Sequence, residues 1–139
     1  LVSQEEVGSA GAATAAYALA PDFAFAVDVS FGSTPDDRPE DCAEIGKGPM
    51  IGFAPILDRT LSRRLTETAQ KHGIPYQTEI IGSRTGTDAD FIAVSRGGVR
   101  TGLLSIPLRF MHTAGEIAAL CDLEQTARLL AKTIEEGLS

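Results

Sequence analysis

The segment FAFAVDVSF, Phe23–Phe31, decides the fold, because large apolar residues stand at its odd positions and small or polar residues at its even ones. A period of two is typical of a β-strand whose two faces differ. We predict a central strand of a sheet, apolar on one face and tightly packed on the other. Asp28 lies among these apolar residues, where an unpaired carboxylate is costly. It is expected to be paired, protonated or metal-bound, either as a structural acid bonded to a neighbouring loop or as a metal ligand.

Outward from this strand, the chain alternates between patterns of helix and strand. Before it, residues 1–3 resemble the end of a strand, and the alanine-rich residues 8–19 favour a helix packed closely against a sheet. After it, the patterns predict a loop across the domain at 32–52, an amphipathic helix at 55–72, a strand at 74–81, a turn at 82–86, a short helix at 88–96, a strand at 101–108 and a helix at 120–138. This order predicts the α/β class, with a layered αβα domain, a central mixed β-sheet and helices on both faces.

Length and composition indicate a single domain, residues 1–139, and exclude several classes of function. The 139-residue chain has a net charge of −7, which repels phosphate backbones and excludes nucleic acid as the main partner. Its longest apolar stretch falls short of the roughly 20 residues that cross a bilayer, so no membrane segment is expected. The two cysteines lack CxxC spacing, which predicts neither a disulfide framework nor a zinc ribbon and favours a cytoplasmic location.

Several polar residues lie at or beyond the ends of predicted strands, where ligands of α/β sheets bind. They are Glu5 with Glu6, Asp28, the turn at 82–88, and His112. Each has a plainer interpretation: a solvated acidic pair at a helix start, a hydrogen-bonded acid, a turn whose Asp88 caps the next helix, and a structural histidine. Together, carboxylates and an imidazole at three strand ends are the donor set that a hydrolytic zinc or cobalt site requires.

Six motifs follow one another along nearly the whole chain. They are QEEVG (4–8) with GA (11–12), AVDV (26–29), GKGP (46–49), GIPYQ (73–77), GTDA (86–89) and SIPLRFMH (105–112). In this order they resemble the glutamyl and deblocking aminopeptidases, dinuclear metallopeptidases that assemble as tetrahedral particles and of which some are labelled endoglucanase. The resemblance implies a fold like that of the zinc exopeptidases.

The resemblance also implies a role for each residue of the site. The implied roles are general base for Glu5, ligands of one metal ion for Glu6 and His112, ligand of a second ion for Asp28, and substrate contacts for Gly86, Thr87 and Asp88. Two divalent cations, zinc or cobalt, would activate the water that cleaves a peptide with a free N-terminus. A carboxylate beside the metal ions, but not on them, can take the proton of that water and pass it to the leaving amine.

The family pattern further includes a histidine in an HxD motif and an aspartate that bridges the metal ions, and this sequence has neither. We therefore expect an incomplete site, weak or absent activity of the isolated chain, and a homo-oligomer, a dodecamer, for the intact protein. Two other hypotheses stay open: a catalytically silent assembly or regulatory module, and a glycosidase, which the absence of Trp disfavours. Arg84 and Arg100, near strand ends, either pair with acidic substrate side chains or face solvent.

Overall fold

Four strands form one mixed sheet in the computed structural model, which describes residues 2–34 and 42–138. In chain order they are β1 (Phe23–Phe31), β2 (Met50–Phe53), β3 (Gln77–Ile80) and β4 (Arg100–Leu108). Their spatial order is β1-β4-β2-β3, with β1 parallel to β4, β3 parallel to β2, and β2 antiparallel to β4. The first strand has the bounds that its period of two predicts, and the mixed sheet is confirmed.

Helices cover both faces of this sheet. They are a short 3-10 helix (Glu5–Val7), α1 (Ala10–Leu19), α2 (Arg59–Lys71), α3 (Ala89–Ile92) and α4 (Leu120–Glu135). α2 and α4 pack against each other and against β4, whereas α3 packs on β1 and β4 from the other side. The predicted αβα layering is therefore confirmed. No helix in the described ranges is long and apolar enough to cross a membrane.

Two buried clusters, one on each face of the sheet, hold the layers together. β4 serves both, because Leu104 joins the cluster under α2 and α4 while Leu103 joins the cluster under α3. Successive side chains of a strand point to opposite faces, which explains this division between neighbours. The buried partners of Leu104 are Ile51, Leu65, Ala69, Ile74 and Leu129, and those of Leu103 are Ala26, Leu57 and Ala89.

The bounds of α2 follow from its two ends. Asp58 caps its first turn, because the side-chain Oδ1 accepts a hydrogen bond from the Leu61 N–H at 2.9 Å. Gly73, with φ +59°, follows the last turn in the left-handed conformation that glycine adopts without strain. The apolar positions four residues apart, Leu61 and Leu65, are buried against the sheet. The helix predicted at 55–72 is thus confirmed, although it begins at Arg59, four residues after the predicted start at Pro55.

Two predictions about the sheet are wrong. β1 is an edge strand of the described sheet and not a central one, because it pairs with β4 alone. The predicted loop at 32–52 contains the start of β2, whose four residues Met50–Phe53 follow a run of glycines and prolines. Residues 35–41 of that predicted loop lie outside the described residues.

Two predictions about the first elements also need correction. Val2 and Ser3 do not form a strand, and Leu1 lies outside the described residues. α1 is confirmed as a helix, but it packs against α3 and the 3-10 helix, and not against the sheet. Its small side chains Ala12 and Ala16, both buried, permit this close contact between helices.

Candidate active site

The carboxyl half of β1 borders a cleft of about 420 Å³. By strand alternation, Asp28 and Ser30 point to the same face of the sheet as Ala26, which packs under α3. The cleft is lined by Glu5, Glu6, Asp28, Val29, Ser30, Phe31, Thr85, Gly86, Thr87, Met111 and His112. The structure therefore brings together every site residue that the sequence predicts except Asp88, whose charge acts on the cleft from beside it.

Glu5 and Glu6 reach the cleft from the 3-10 helix that precedes α1. Left-handed residues flank this helix, Gln4 with φ 64° and Gly8 with φ 112°. The Ser9 N–H donates a hydrogen bond to the Gln4 carbonyl at 2.8 Å and so closes the turn. Glu5 is half-buried and Glu6 is exposed. The two adjacent carboxylates therefore meet different surroundings, as different roles in one site would require.

Asp28 is half-buried on β1, and its Oδ1 accepts a hydrogen bond from the Val29 N–H at 2.8 Å. Burial raises the pKa of Asp28, and this hydrogen bond opposes the rise. The negative charges of Asp88, Glu6 and Glu79 raise the pKa of Asp28 further. The hydrogen bond comes from the next residue of the same strand, and not from the neighbouring loop that the plainer interpretation requires.

The other acidic residues act on Glu5 in the same way. Burial raises the pKa of Glu5, the charges of Asp28, Glu6 and Asp88 raise it further, and His112 lowers it. Among the described residues that line the cleft, none is a lysine or an arginine. The cleft thus holds a surplus of negative charge, which a bound cation would relieve.

Asp90, which the sequence analysis did not single out, builds the wall of the cleft at residues 85–87. Its Oδ1 accepts hydrogen bonds from both the N–H and the Oγ1 of Thr85, each at 2.9 Å. Its Oδ2 accepts a third from the Gly86 N–H at 3.1 Å. Asp90 is buried, so these bonds fix the turn against the start of α3. The sequence hint to this role was the position of Asp90, two residues after the GTD sequence (86–88). An acid in the first turn of a helix is common, so this position alone did not identify Asp90 as a site residue.

Asp88 does not cap α3, contrary to the plainer interpretation of this turn. Its side chain makes no capping hydrogen bond, and the Thr87 Oγ1 instead accepts one from the Ala89 N–H at 3.2 Å. Asp88 is only 8% exposed, and its Oδ1 is buried with no hydrogen-bond partner among the described residues. A buried carboxylate oxygen without a donor is destabilising unless a ligand satisfies it.

The turn after β3 does not begin at the end of the sheet where β1 and β4 finish, contrary to the prediction that all the site residues follow strands at one end. β3 runs antiparallel to β4 and β1, so residues 82–88 leave the sheet at the edge opposite to the carboxyl ends of those two strands. They come back to Asp28 over the face that α3 covers. The cleft is therefore partly a feature of this face, and not only of one edge of the sheet.

A closed loop after β4 presents His112. An antiparallel bridge between Arg109 and Ile117 closes its base, with N–H to carbonyl distances of 2.9 and 3.2 Å. Phe110 and His112 both have left-handed backbones, with φ of 58° and 61°, which costs energy in residues other than glycine. The Glu116 carboxylate accepts a hydrogen bond from the His112 N–H at 2.8 Å. These bonds hold an exposed imidazole at the mouth of the cleft.

The donor set of the cleft fits a divalent cation in part. Carboxylate oxygens and an imidazole are ligands of zinc and cobalt, and the described residues offer no donor to the buried Asp88 Oδ1 beside the cleft. Within the described residues, however, no three His, Cys, Asp or Glu side chains lie close enough together to hold a metal ion. The predicted ligands Glu6, Asp28 and His112 share one cleft without forming a complete coordination sphere.

Comparison with known proteins places the chain among peptidases. Residues 1–129 match the family model of the M42 glutamyl aminopeptidases. A lysyl aminopeptidase of Pyrococcus furiosus is 39% identical over 133 residues, which cover 96% of this chain and 38% of that protein. An aminopeptidase of the archaeon Desulfurococcus kamchatkensis superposes with a TM-score of 0.91 at 37% identity, covering 98% of this chain and 40% of that one.

A second solved structure is that of the TET1 peptidase of Pyrococcus horikoshii, a protein that can assemble into a tetrahedron or a large octahedral shell. It superposes with a TM-score of 0.73 at 30% identity, covering 99% of this chain and 40% of that one. The chain thus spans about two fifths of the length of the relatives that it matches. The resemblance seen in the six sequence motifs is confirmed: the chain belongs to the M42 glutamyl aminopeptidase family.

Proposed function

We propose that the chain forms part of a metal-dependent aminopeptidase, a hydrolase that releases N-terminal residues from peptides. The observation that carries this proposal is the cleft where Glu5, Glu6, Asp28 and His112 meet, with no lysine or arginine among its described lining residues. Membership of the M42 family supports the same activity. A surplus of carboxylates suits both divalent cations and the ammonium group of a peptide N-terminus.

Each residue of the cleft has a proposed role. Glu6 and His112 would hold one divalent cation and Asp28 a second, with zinc and cobalt both suited to these ligands. Such ions, when bound, supply Lewis acidity toward the scissile carbonyl and its attacking water. Ligands missing from the cleft would come from sequence outside this chain.

Glu5 is the proposed general base. It is half-buried beside the other acids, and its carboxylate takes the proton of the attacking water and then delivers it to the leaving amine. The wall at Gly86 and Thr87, fixed by Asp90, lies where the peptide would pass, and Asp88 completes the predicted substrate side.

We also propose that the full-length protein is a cytoplasmic homo-oligomer, with a dodecamer as the expected form. The assembly of the Pyrococcus horikoshii relative into closed shells supports this. Light scattering of the full-length protein tests the stoichiometry, and a monomer at micromolar concentration would contradict it.

Metal binding tests the ligand set without presuming a substrate. Titration of the purified chain with Co²⁺ should show binding whose overall affinity falls tenfold or more in Asp28→Asn and in His112→Ala, because each variant removes a ligand of one of the two proposed ions. The matched control is Asp22→Asn, an exposed acid just before β1. Equal Co²⁺ affinity of all four proteins would refute the assigned ligands.

Hydrolysis by the full-length protein tests the reaction. Aminoacyl anilides should be cleaved after Co²⁺ loading, activity should vanish with a chelator, and Glu5→Gln should lower kcat by roughly 100-fold or more. Metal binding without hydrolysis would favour the silent assembly module, and chelator-resistant cleavage of a polysaccharide would favour the glycosidase.

A further inference from the structure

A second cavity of about 590 Å³ adjoins the cleft and shares Ser30 and Phe31 with it. Phe31, at the end of β1, is 63% exposed and stands at the boundary between the two spaces. The second cavity extends from there to β3, where Gln77 and Glu79 form part of its lining. Any substrate held in the cleft therefore has an adjoining space for one of its side chains.

Glu79 is the one carboxylate among the described residues that line this second cavity, and no lysine, arginine or histidine is among them. It lies beside Gly52 in the register of β2 and β3. Because Gly52 has no side chain, the Glu79 carboxylate reaches across β2, where the Ser105 Oγ donates a hydrogen bond to it at 2.7 Å. The Ser30 hydroxyl, from β1, donates another to its other oxygen.

These contacts orient the carboxylate but do not neutralise it. Serine hydroxyls are neutral donors, and a carboxylate accepts about four hydrogen bonds in all. No lysine, arginine or histidine within the described residues forms an ion pair with Glu79. Glu79 thus presents a fixed, half-buried negative charge in a cavity that opens on the cleft.

The two arginines that could have favoured acidic substrates are engaged elsewhere. Arg100 forms an ion pair with Asp58 at 2.8 Å, and Arg84 stacks on the ring of Phe91. Neither lines the cleft or the second cavity.

We propose that the second cavity receives the side chain of the substrate's N-terminal residue and that Glu79 makes it select cationic side chains, those of lysine and arginine. This inference rests on the proposed aminopeptidase function. The Glu79 carboxylate would form a charge-assisted hydrogen bond with the substrate's ammonium or guanidinium group, oriented by Ser30 and Ser105. Neutral side chains of the same length would lose that interaction.

The test compares lysine with norleucine, whose neutral side chain has nearly the same shape. In the Co²⁺-loaded full-length protein, Glu79→Gln should lower the ratio of kcat/KM for lysyl over norleucyl p-nitroanilide by about tenfold or more. Glutamine can still bond to both serines, and Glu79→Asp, which keeps the charge, should retain a preference for lysine. The control Glu124→Gln removes an exposed carboxylate of α4 and should leave the ratio unchanged.

Calorimetry with lysinamide and norleucinamide gives a readout that does not depend on turnover. Tighter binding of lysinamide, lost in Glu79→Gln, supports the inference even if neither anilide is cleaved, in which case only the proposed hydrolysis fails. Cleavage of both anilides with a ratio that Glu79→Gln leaves unchanged overturns the inference and leaves the aminopeptidase intact. Equal binding of the two amides to the wild-type protein overturns it as well.

Discussion

Asp88 carries a buried carboxylate whose Oδ1 has no hydrogen-bond partner in the described part of the chain. Its charge raises the pKa of both Glu5 and Asp28, although burial is the largest cause in each case. The three acids thus form an electrostatically coupled group along one side of the cleft. Such groups occur at functional sites more often than in purely structural positions.

We predict that Asp88→Asn lowers the pKa of both Glu5 and Asp28 in the metal-free protein. Asparagine removes a negative charge that disfavours ionisation of its neighbours, so each carboxyl loses its proton at lower pH. Carbon-13 NMR titration of the side-chain carboxyls measures both values. Asp22→Asn is the matched control and should leave both unchanged. Unchanged values in Asp88→Asn would show that its charge does not reach the cleft.

Single residues of the site differ in how far the sequence could predict them. Asp28 and His112 can be recognised from the sequence, because an acid within an apolar strand and a histidine just after a strand are both unusual. Glu79 does not, because its reach across the sheet depends on the register of β3 against β2 and on the absence of a side chain at Gly52. Asp90 looks like an ordinary first-turn acid until its contacts with the preceding turn are known.

At the scale of elements, Asp122 joins the first turn of α4 to the loop before β2. Its two carboxylate oxygens accept hydrogen bonds from the Gly46 N–H at 2.7 Å and the Gly48 N–H at 2.8 Å. Gly48 has φ +89°, and a Cβ there would lie 2.1 Å from the Pro75 carbonyl oxygen. This position therefore requires glycine, and the loop is held between α4 and the segment that leads into β3.

Asp122→Ala should destabilise the fold by roughly 2–4 kcal/mol, because the change leaves two backbone N–H groups without acceptors. Asp122 is fully buried, so water cannot replace the lost bonds without rearrangement. Asp122→Asn should fall between alanine and the wild type, since one acceptor oxygen remains. Urea unfolding measures the stability of the wild type and of both Asp122 variants. The control Glu124→Ala, on the exposed side of α4, should change stability by less than about 0.5 kcal/mol. A cost as small for Asp122→Ala as for this control would contradict the proposed anchor.

Glu136, just after α4, joins the ends of α2 and α4. The Lys71 ammonium and the His72 imidazole each lie 2.7 Å from its Oε1. These two donors lower the pKa of Glu136 from 4.5 to about 2. His72 is thus engaged in a structural contact and is not among the residues that line the cleft.

The stabilising effect of Glu136 should depend on pH. A carboxyl with a lowered pKa in the folded state stabilises the protein fully above its unfolded pKa of 4.5 and loses that effect as the pH falls toward 2. Glu136→Gln should therefore unfold at lower urea concentration than the wild type at pH 7, and at the same concentration at pH 2. Urea midpoints at several pH values, with Glu135→Gln as control, test this. A difference that persists undiminished at pH 2 would rule out the ionic origin.

Elements with a strong internal period could be predicted from the sequence, whereas the relations between them could not. Phe23–Phe31 has its predicted bounds because nine residues of alternation leave little choice. β2 escaped prediction because four residues, one of them glycine, are too few for a period to appear. The position of β1 at the edge of the sheet depends on which strands pair with it, and no local pattern contains that information.

At the scale of the whole molecule, the sheet separates two cores that share β4. Leu65 lies in the core under α2 and α4, and Leu57 in the core under α3. The members of each core pack on one face, so a cavity made in one of them removes no side-chain partner from the other. The backbone of β4 is the structural link between them.

Leu65→Ala and Leu57→Ala should each lower the free energy of unfolding by about 2–5 kcal/mol, because each removes buried methyl groups and leaves a cavity. In the double variant the two losses of stability should add within about 0.5 kcal/mol, since Leu65 and Leu57 belong to different buried clusters. Urea unfolding followed by circular dichroism and by tyrosine fluorescence measures both the costs and the cooperativity. Strong coupling between the two substitutions would mean that strain passes through the sheet, and separate transitions for the two probes would mean that the cores unfold independently.

The cleft draws its lining from segments that lie far apart along the chain, around Glu5, Asp28, Thr87 and His112. It exists only after β1 has paired with β4, the longest-range pairing in the described sheet, and such pairings form slowly because loop closure opposes them. A partly folded chain has no such cleft. Any ion or peptide that binds there stabilises only the finished molecule, by mass action. Occupancy of the site is thus a chemical test of complete folding, and supplying the ligand during refolding should raise the yield of native protein.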